Sequence, residues 1–218
     1  MGYNRIEQEG KQHIDVCAQG SAVMINAGVT EMIRRFMQAD TLNKETARLL
    51  ESIGATLMGV KPASLINVHS DQCVKLCKTQ FVCGGPVACV IVKVAEEKTQ
   101  LFFYHQGCLQ AVLADAVNRL FLMRLGYPEQ GTADQYVRIL IQRMRGTPFP
   151  HEAGLFFGYP IKDVCGFMGA PIRYRKTMGW RMYGDTCVSE IIYERYKNAR
   201  SVVRRMLRAY MEQRILSV

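Results

Sequence analysis

The sequence contains no apolar run approaching the roughly 20 residues that a helix needs to cross a bilayer. Its first residues, Met1–Arg5, lead into polar residues rather than into the apolar segment of a secretory signal. These two absences argue against a membrane-spanning protein and against a secreted one. We therefore expect a cytoplasmic protein with no membrane partner.

No C-x-x-C pair occurs among the eight cysteines, although eight is a large number for 218 residues. A disulfide framework is not expected in the cytoplasm, so most of these cysteines are predicted to be reduced and buried. His69, Cys73 and Cys77 follow one another at intervals of four residues and would line one face of a helix. Because this spacing differs from that of typical zinc modules, the sequence favours a core-facing stripe and predicts no metal site.

Two signatures of known active sites are incomplete. Leu155 stands three residues after Glu152, where the helix of a zinc protease requires a second histidine. Lys61 follows a glycine closely but lacks the spacing and the Gly-Lys-Ser/Thr ending of a phosphate-binding loop. The sequence therefore contains neither a zinc-protease motif nor a nucleotide-binding loop of that class.

Positive charge is abundant and unevenly distributed along the chain. The formal net charge is +9. Residues 1–110 contain 11 Lys or Arg against 10 Asp or Glu, whereas residues 111–218 contain 17 against 9. The excess in the second half would attract an anionic ligand or a nucleic acid, or would only increase solubility.

Apolar periodicity and turn residues predict a mixed architecture. Strands are predicted at 63–68, 87–94, 101–105 and 179–183. Helices are predicted at 43–58, at 107–125, after Thr132, at 161–167 and, as one long amphipathic helix, at 188–210. We expect one α+β domain over residues 41–218, with these strands in a small mixed or antiparallel sheet covered by helices, and a helical appendage over residues 1–40.

Residues 149–164 place a histidine, two carboxylates, a tyrosine and a lysine between glycines and prolines. Within this segment, His151 beside Glu152 is a chemically competent acid/base pair near neutral pH. Adjacent side chains diverge on helices and strands, however, so we favour the interpretation in which one of them binds free amides at a helix start. His151 and Glu152 are therefore catalytic candidates only.

Three segments carry a family resemblance. Gly59–Leu65, Phe149–Val164 and Trp180–Asp185 are similar to parts of an uncharacterised bacterial family, domain of unknown function 3793 (DUF3793), over about residues 53–211. The resemblance implies no activity, but it implies that the three segments lie together. A lysine, tyrosines, aspartates and a tryptophan arranged in this way would bind a small anionic or aromatic ligand. The predicted ligand-binding residues are Lys61, Tyr159, Asp163, Trp180, Tyr183 and Asp185.

Basic and aromatic residues also alternate near the C-terminal end, as they do in grooves that bind single-stranded nucleic acid. The predicted nucleic-acid contacts are Arg173, Arg175, Lys176 and Arg181, with Arg200, Arg204 and Arg208 on the last helix. No recognised DNA- or RNA-binding motif accompanies them, so this interpretation is not favoured.

Three functions follow from the sequence, in this order. The first is a cytoplasmic protein that binds a small molecule or cofactor, or an accessory protein, with a site near residues 151–152 and 183–185. The second is an enzyme that uses His151 and Glu152 as general acid and base, and the third is a nucleic-acid-binding protein. The sequence does not indicate which cofactor or anionic ligand would be bound.

Overall fold

The computed structural model describes residues 44–69, 85–95 and 97–215. The predicted appendage at 1–40 and the cysteines at 73 and 77 lie outside the described residues. The helices within them are α1 (Lys44–Ser52), α2 (Gly54–Leu57), α3 (Gln106–Ala114), α4 (Ala116–Arg124), α5 (Ala133–Met144), α6 (Ala153–Phe156), α7 (Ile161–Phe167) and α8 (Cys187–Ile215). The strands are β1 (Ala63–His69), β2 (Val87–Val94), β3 (Lys98–His105), β4 (Tyr174–Met178) and β5 (Trp180–Tyr183).

The first three strands form an antiparallel sheet in the order β1-β3-β2. Ala63 lies opposite Tyr104, and Val87 lies opposite His105. β3 is the central strand, and its buried apolar and aromatic run from Leu101 to Tyr104 suits a strand that is covered on both faces.

Successive residues of β3 point to opposite faces of the sheet and enter different clusters of buried side chains. Phe102 and Tyr104 belong to a large cluster with residues of α3 to α7. Leu101 and Phe103 belong to a second cluster with residues of α1 and α8. The sheet is therefore a middle layer between two layers of helices, as expected when both faces of a strand are apolar.

A third, smaller cluster connects α2, β5 and α8 beside the sheet. It contains Ala55 from α2, Trp180 and Met182 from β5, and Tyr196 and Ala199 from α8. This cluster determines where β5 lies, and it supports the site described below.

β5 pairs with β4 in a separate two-stranded sheet, so the expectation that residues 179–183 extend the main sheet is wrong. Gly179, with φ of 73°, forms the tight turn between β4 and β5. The backbone N–H of Tyr183 donates to Asp163 Oδ1 at 2.8 Å. The buried Asp163 carboxylate therefore accepts from a backbone N–H of β5 that pairing with a strand of the main sheet would require.

The α+β fold class is confirmed, but several local details differ from the predictions. The helix predicted at 43–58 is divided into α1 and α2, and the sequence did not predict β4 or α6. The helix predicted at 107–125 is divided at Asp115, whose Oδ1 accepts from Val117 N at 3.0 Å and from Asn118 N at 2.9 Å. An aspartate that binds nearby amides in this way starts a new helix rather than continuing one. Thr132 caps α5 as predicted, in a reciprocal pair with Gln135. None of the helices in the described residues combines the length and the apolar character needed to span a membrane.

Candidate ligand-binding cavity

A cavity of about 120 Å³ lies beside the third cluster, between the end of α2, the segment after α6, β5 and α8. Its charged and aromatic lining residues are Lys61, Arg200, Tyr159, Trp180, Tyr193 and Tyr196. The volume is several times the about 10–15 Å³ that a single water molecule needs. The cavity can therefore hold a small planar molecule or an anion with its hydration water.

The turn after α2 positions Lys61. Ala55 O accepts hydrogen bonds from Val60 N and from Lys61 N, both at 2.9 Å. Gly59 makes this turn possible with φ of 66°, a conformation that side-chain-bearing residues rarely adopt. The backbone of Lys61 is thus held against α2, and its side chain reaches the cavity.

The Lys61 ammonium lies among aromatic rings. Its Nζ atom is 5.6 Å from the centre of the Phe157 ring, 6.0 Å from that of Tyr159 and 5.7 Å from that of Tyr196. Burial, followed by the positive charge of Arg200, lowers the pKa of Lys61 from 10.5 to about 8. Within the described part of the chain, no carboxylate lines the cavity or pairs with either cation.

Stacked rings form one wall of the cavity. The rings of Tyr159 and Trp180 lie 4.4 Å apart at 15°, and Tyr193 approaches Trp180 edge-on at 6.2 Å. Burial raises the pKa of Tyr159 and that of Tyr196, so both phenols stay neutral at physiological pH. The wall therefore consists of uncharged aromatic side chains beside two cations.

Gly158 allows the elements around the cavity to approach closely. Its carbonyl accepts a hydrogen bond from the Tyr196 hydroxyl at 3.0 Å, and its φ is 76°. A Cβ atom at this position would lie 2.6 Å from Pro62 Cδ and would overlap the Tyr196 hydroxyl. Only glycine meets both the conformational and the steric demand.

A buried carboxylate behind the aromatic wall holds Trp180 in place. Asp163 Oδ2 accepts from Trp180 Nε1 at 2.8 Å and from Ser189 Oγ at 2.6 Å. Its Oδ1 accepts from Lys162 Nζ at 2.7 Å and from the Tyr183 N–H at 2.8 Å. Asp163 is only 2% exposed, so these four donors satisfy it and connect α7, β5 and α8.

A protein-family model described as "Protein of unknown function (DUF3793)" matches residues 49–216. The chain belongs to the DUF3793 family. The matched region contains every residue that lines the cavity. No curated protein and no solved structure matches the chain.

The structure of this DUF3793 protein distributes the six predicted ligand-binding residues over three environments. Lys61, Tyr159 and Trp180 line the cavity. Asp163 lies behind its wall, and Tyr183 is buried with its ring against the position of Gly166. The exposed Asp185 accepts from Cys187 N at 3.0 Å, at the start of α8.

Three of the charged or aromatic cavity residues were not predicted as ligand contacts, and all three lie on α8. Tyr193, Tyr196 and Arg200 are spaced at three and four residues, so they share one face of the helix. The periodicity of the last helix placed Tyr196 on its apolar stripe, Arg200 was interpreted as part of a basic stripe, and Tyr193 belonged to neither. The spacing alone does not show that a cavity lies opposite them.

The two catalytic candidates lie outside the cavity lining and in unlike surroundings. Glu152 is 4% exposed, and its Oε1 accepts from Arg143 Nη1 at 2.9 Å and from the Tyr127 hydroxyl at 3.2 Å. His151 is exposed, with its ring edge-on to Phe167 at 4.9 Å. Glu152 makes no capping bond at α6, because its carboxylate is held by Arg143 and Tyr127 instead.

We expect Glu152→Gln to lower the free energy of unfolding by about 1–2 kcal/mol, since it leaves the partly buried Arg143 without its counter-charge. His151→Ala removes only an exposed ring contact and should change stability by less than about 0.5 kcal/mol. Urea denaturation of both variants measures the difference. Equal stabilities would contradict a structural role for Glu152.

The seven predicted nucleic-acid contacts also divide between different environments. Lys176 pairs with Glu190 at 2.7 Å, and Arg204 pairs with Glu51 at 2.6 Å. Arg200 lines the cavity. Arg173, Arg175, Arg181 and Arg208 are exposed, as is the paired Arg204. The guanidinium of Arg181 lies 5.5 Å from the centre of the Phe167 ring.

The described residues contain no group of three or more His, Cys, Asp or Glu side chains placed to hold a metal ion. Cys73 and Cys77 lie outside these residues, so the structure does not describe the cysteine stripe. The expectation that most cysteines are buried does not hold for the four described ones, since Cys89, Cys108 and Cys165 are half-buried and Cys187 is exposed in the first turn of α8.

Proposed function

We propose that this DUF3793 protein binds a small anionic ligand with a planar part in the cavity between Lys61 and Arg200. One observation carries the proposal. Two cations share a cavity whose lining contains no carboxylate, and aromatic rings form the adjoining wall. The proposal agrees with the ligand class indicated by the sequence.

The charge arrangement favours an anion. Burial is the main cause of the lowered pKa of Lys61, and Arg200 lowers it further because the two like charges repel each other. An anionic group near both cations would relieve this repulsion and accept hydrogen bonds from each of them. Hydrogen bonds between ionised groups are roughly twice as strong as neutral ones.

The wall favours a planar ligand. Tyr159 and Trp180 stack on each other and both line the cavity, together with Tyr193 and Tyr196. Flat aromatic surfaces bind other flat groups through dispersion and offset stacking. The small volume limits the ligand to about one ring with its anionic substituent.

This function accounts for the geometry better than the two alternatives do. The acid/base hypothesis requires a Glu152 carboxylate that can reach a substrate, yet Arg143 and Tyr127 occupy it. The nucleic-acid hypothesis requires a continuous basic surface, yet Lys176 and Arg204 are paired with carboxylates and Arg200 faces the cavity.

Trp180 provides a direct test, because it is the only tryptophan in the chain and lies in the cavity wall. We expect benzoate, a planar anion, to change its fluorescence saturably. Benzyl alcohol, which is planar but neutral, should have little effect. Arg200→Gln should raise the Kd for benzoate at least about tenfold, since it removes a charge-assisted contact.

Arg205→Gln is the matched control for this titration. Arg205 is exposed on the same helix, so its replacement removes the same charge without altering the cavity. Its Kd should stay within about twofold of the wild-type value. Equal weakening by both substitutions, or no saturable response to benzoate, phenyl phosphate or inorganic phosphate, would contradict the proposal.

A further inference from the structure

Lys61 differs from every other lysine in the described part of the chain. Lys162, Lys176 and Lys197 each pair with a carboxylate. The remaining three, Lys44, Lys93 and Lys98, are exposed. Lys61 lines the cavity, and its ammonium forms neither an ion pair nor a side-chain hydrogen bond with another described residue.

The surroundings of Lys61 are those that make a lysine nucleophilic. A lysine is activated when it is desolvated by apolar groups and placed next to another cation. Here three aromatic rings surround Nζ at 5.6–6.0 Å, and Arg200 supplies the second positive charge. With a pKa of about 8, about a tenth of the amine is neutral at pH 7, whereas an exposed lysine is neutral to well under about 0.1%.

We propose that Lys61 is a covalent attachment site, where its ε-amine forms an imine with the aldehyde or ketone group of a planar, anionic carbonyl compound. This inference rests on the proposed function, because the anionic group of the compound would lie against Arg200. It adds the reactive group of the ligand and the residue that bonds to it.

The chemical step is a condensation without oxidation or reduction. The neutral amine nitrogen attacks the carbonyl carbon, and a carbon–nitrogen bond forms. The carbonyl oxygen takes both protons of the amine and leaves as water, so that a carbon–nitrogen double bond remains. A proton on the imine nitrogen would keep a cation among the rings of Phe157, Tyr159 and Tyr196, where cation–π attraction stabilises it.

The charged and titratable side chains facing Lys61 agree with this chemistry. Arg200, Tyr193 and Tyr196 come from α8, and Tyr159 comes from the segment after α6. None of them is a carboxylate that would hold the amine in its protonated form. The reaction should therefore accelerate as the pH rises from 7 towards 8.5, while noncovalent binding of benzoate weakens because Lys61 loses its charge.

The test uses pyridoxal 5′-phosphate as the probe, since it is a planar anionic aldehyde, followed by reduction with borohydride. Peptide mass spectrometry should place about one equivalent on Lys61 at low probe concentration. Arg200→Gln should reduce labelling of Lys61 about tenfold, and excess benzoate should compete with it. Lys197→Gln, at an exposed lysine, should leave the labelling unchanged.

Several outcomes would overturn the inference. They are labelling spread over the exposed lysines, equal total labelling of Lys61→Met, and labelling of Lys61 that neither Arg200→Gln nor benzoate changes. If benzoate binds with the expected dependence on Arg200 but Lys61 is not labelled, the covalent inference fails and the proposed function stands. If neither benzoate binding nor labelling occurs, both fail.

Discussion

Asp163→Asn is expected to lower the free energy of unfolding by about 3 kcal/mol, because it breaks a buried ion pair and leaves Lys162 without its counter-charge. Asp163 accepts hydrogen bonds from four donors, including Trp180 Nε1 and the Tyr183 N–H. Asparagine has the same shape but replaces one carboxylate oxygen, an acceptor, with an NH2 group, a donor. This NH2 group would then face the N–H or O–H donors that Asp163 binds. Urea denaturation measures the loss, and Trp180 emission reports whether the cavity wall has moved.

Asp185→Asn is the matched control for this substitution. Asp185 is exposed and caps the first turn of α8 through Cys187 N. Asparagine is nearly as good a cap as aspartate, so the loss should be below about 0.5 kcal/mol. Similar stability losses for the two substitutions would contradict a stabilising role of the Asp163 network, and unchanged Trp180 emission in Asp163→Asn would show that the network does not position Trp180.

Lys61→Met is expected to have two opposite effects: it should raise the free energy of unfolding at pH 7 while weakening benzoate binding at least about tenfold. Lowering the pKa of Lys61 from 10.5 to about 8 means that the fold destabilises the charged amine. The shift corresponds to an upper limit of about 3 kcal/mol. Remaining solvent contact and the lost ring contacts reduce the expected gain to about 1–2 kcal/mol.

The pH dependence of this gain follows from the protonation of the two states. Below pH 8 both the folded and the unfolded chain carry the proton, so the full cost of the buried charge is present. Between pH 8 and 10.5 the unfolded chain binds more protons than the folded one, so the stability of the wild type rises with pH. The advantage of Lys61→Met should therefore disappear above pH 10.5.

Lys197→Met provides the comparison for the pH series. Lys197 is exposed and pairs with Glu194 at 3.2 Å on the helix surface. Its replacement should change stability by less than about 0.5 kcal/mol at any of these pH values. A Lys61→Met variant that is less stable than the wild type at pH 7 would show that the ring contacts outweigh the desolvation of the ammonium.

Local signals predicted much of the fold because they act over a few residues. α7 begins after Pro160 and spans Ile161–Phe167, as proline at the helix start indicates. Thr132 caps α5 through a partner three residues away. By contrast, the division at Asp115 was missed, since an apolar stripe on both sides of a short capping residue resembles one continuous helix.

Family resemblance and residue chemistry indicated part of the candidate site. Lys61, Tyr159 and Trp180 were selected together and do line one cavity. Asp163 was also predicted as a ligand-binding residue, but its carboxylate accepts a hydrogen bond from Trp180 and does not line the cavity. Which of these two roles a carboxylate has depends on the hydrogen-bond donors around it. Those donors come from α7, β5 and α8, and no local pattern relates them.

The sequence by itself determined the α+β class, the membership of the DUF3793 family, most helix and strand positions, and the absence of a zinc-protease or phosphate-loop motif. These properties follow from spacing, capping and side-chain chemistry within short segments. Only the tertiary structure decided that Arg200 faces Lys61 rather than solvent, that Glu152 is held by Arg143, and that β5 leaves the main sheet. The physical reason is that each of these facts depends on the packing of elements distant in the chain, where burial and hydrogen-bond partners determine what a charged side chain can do.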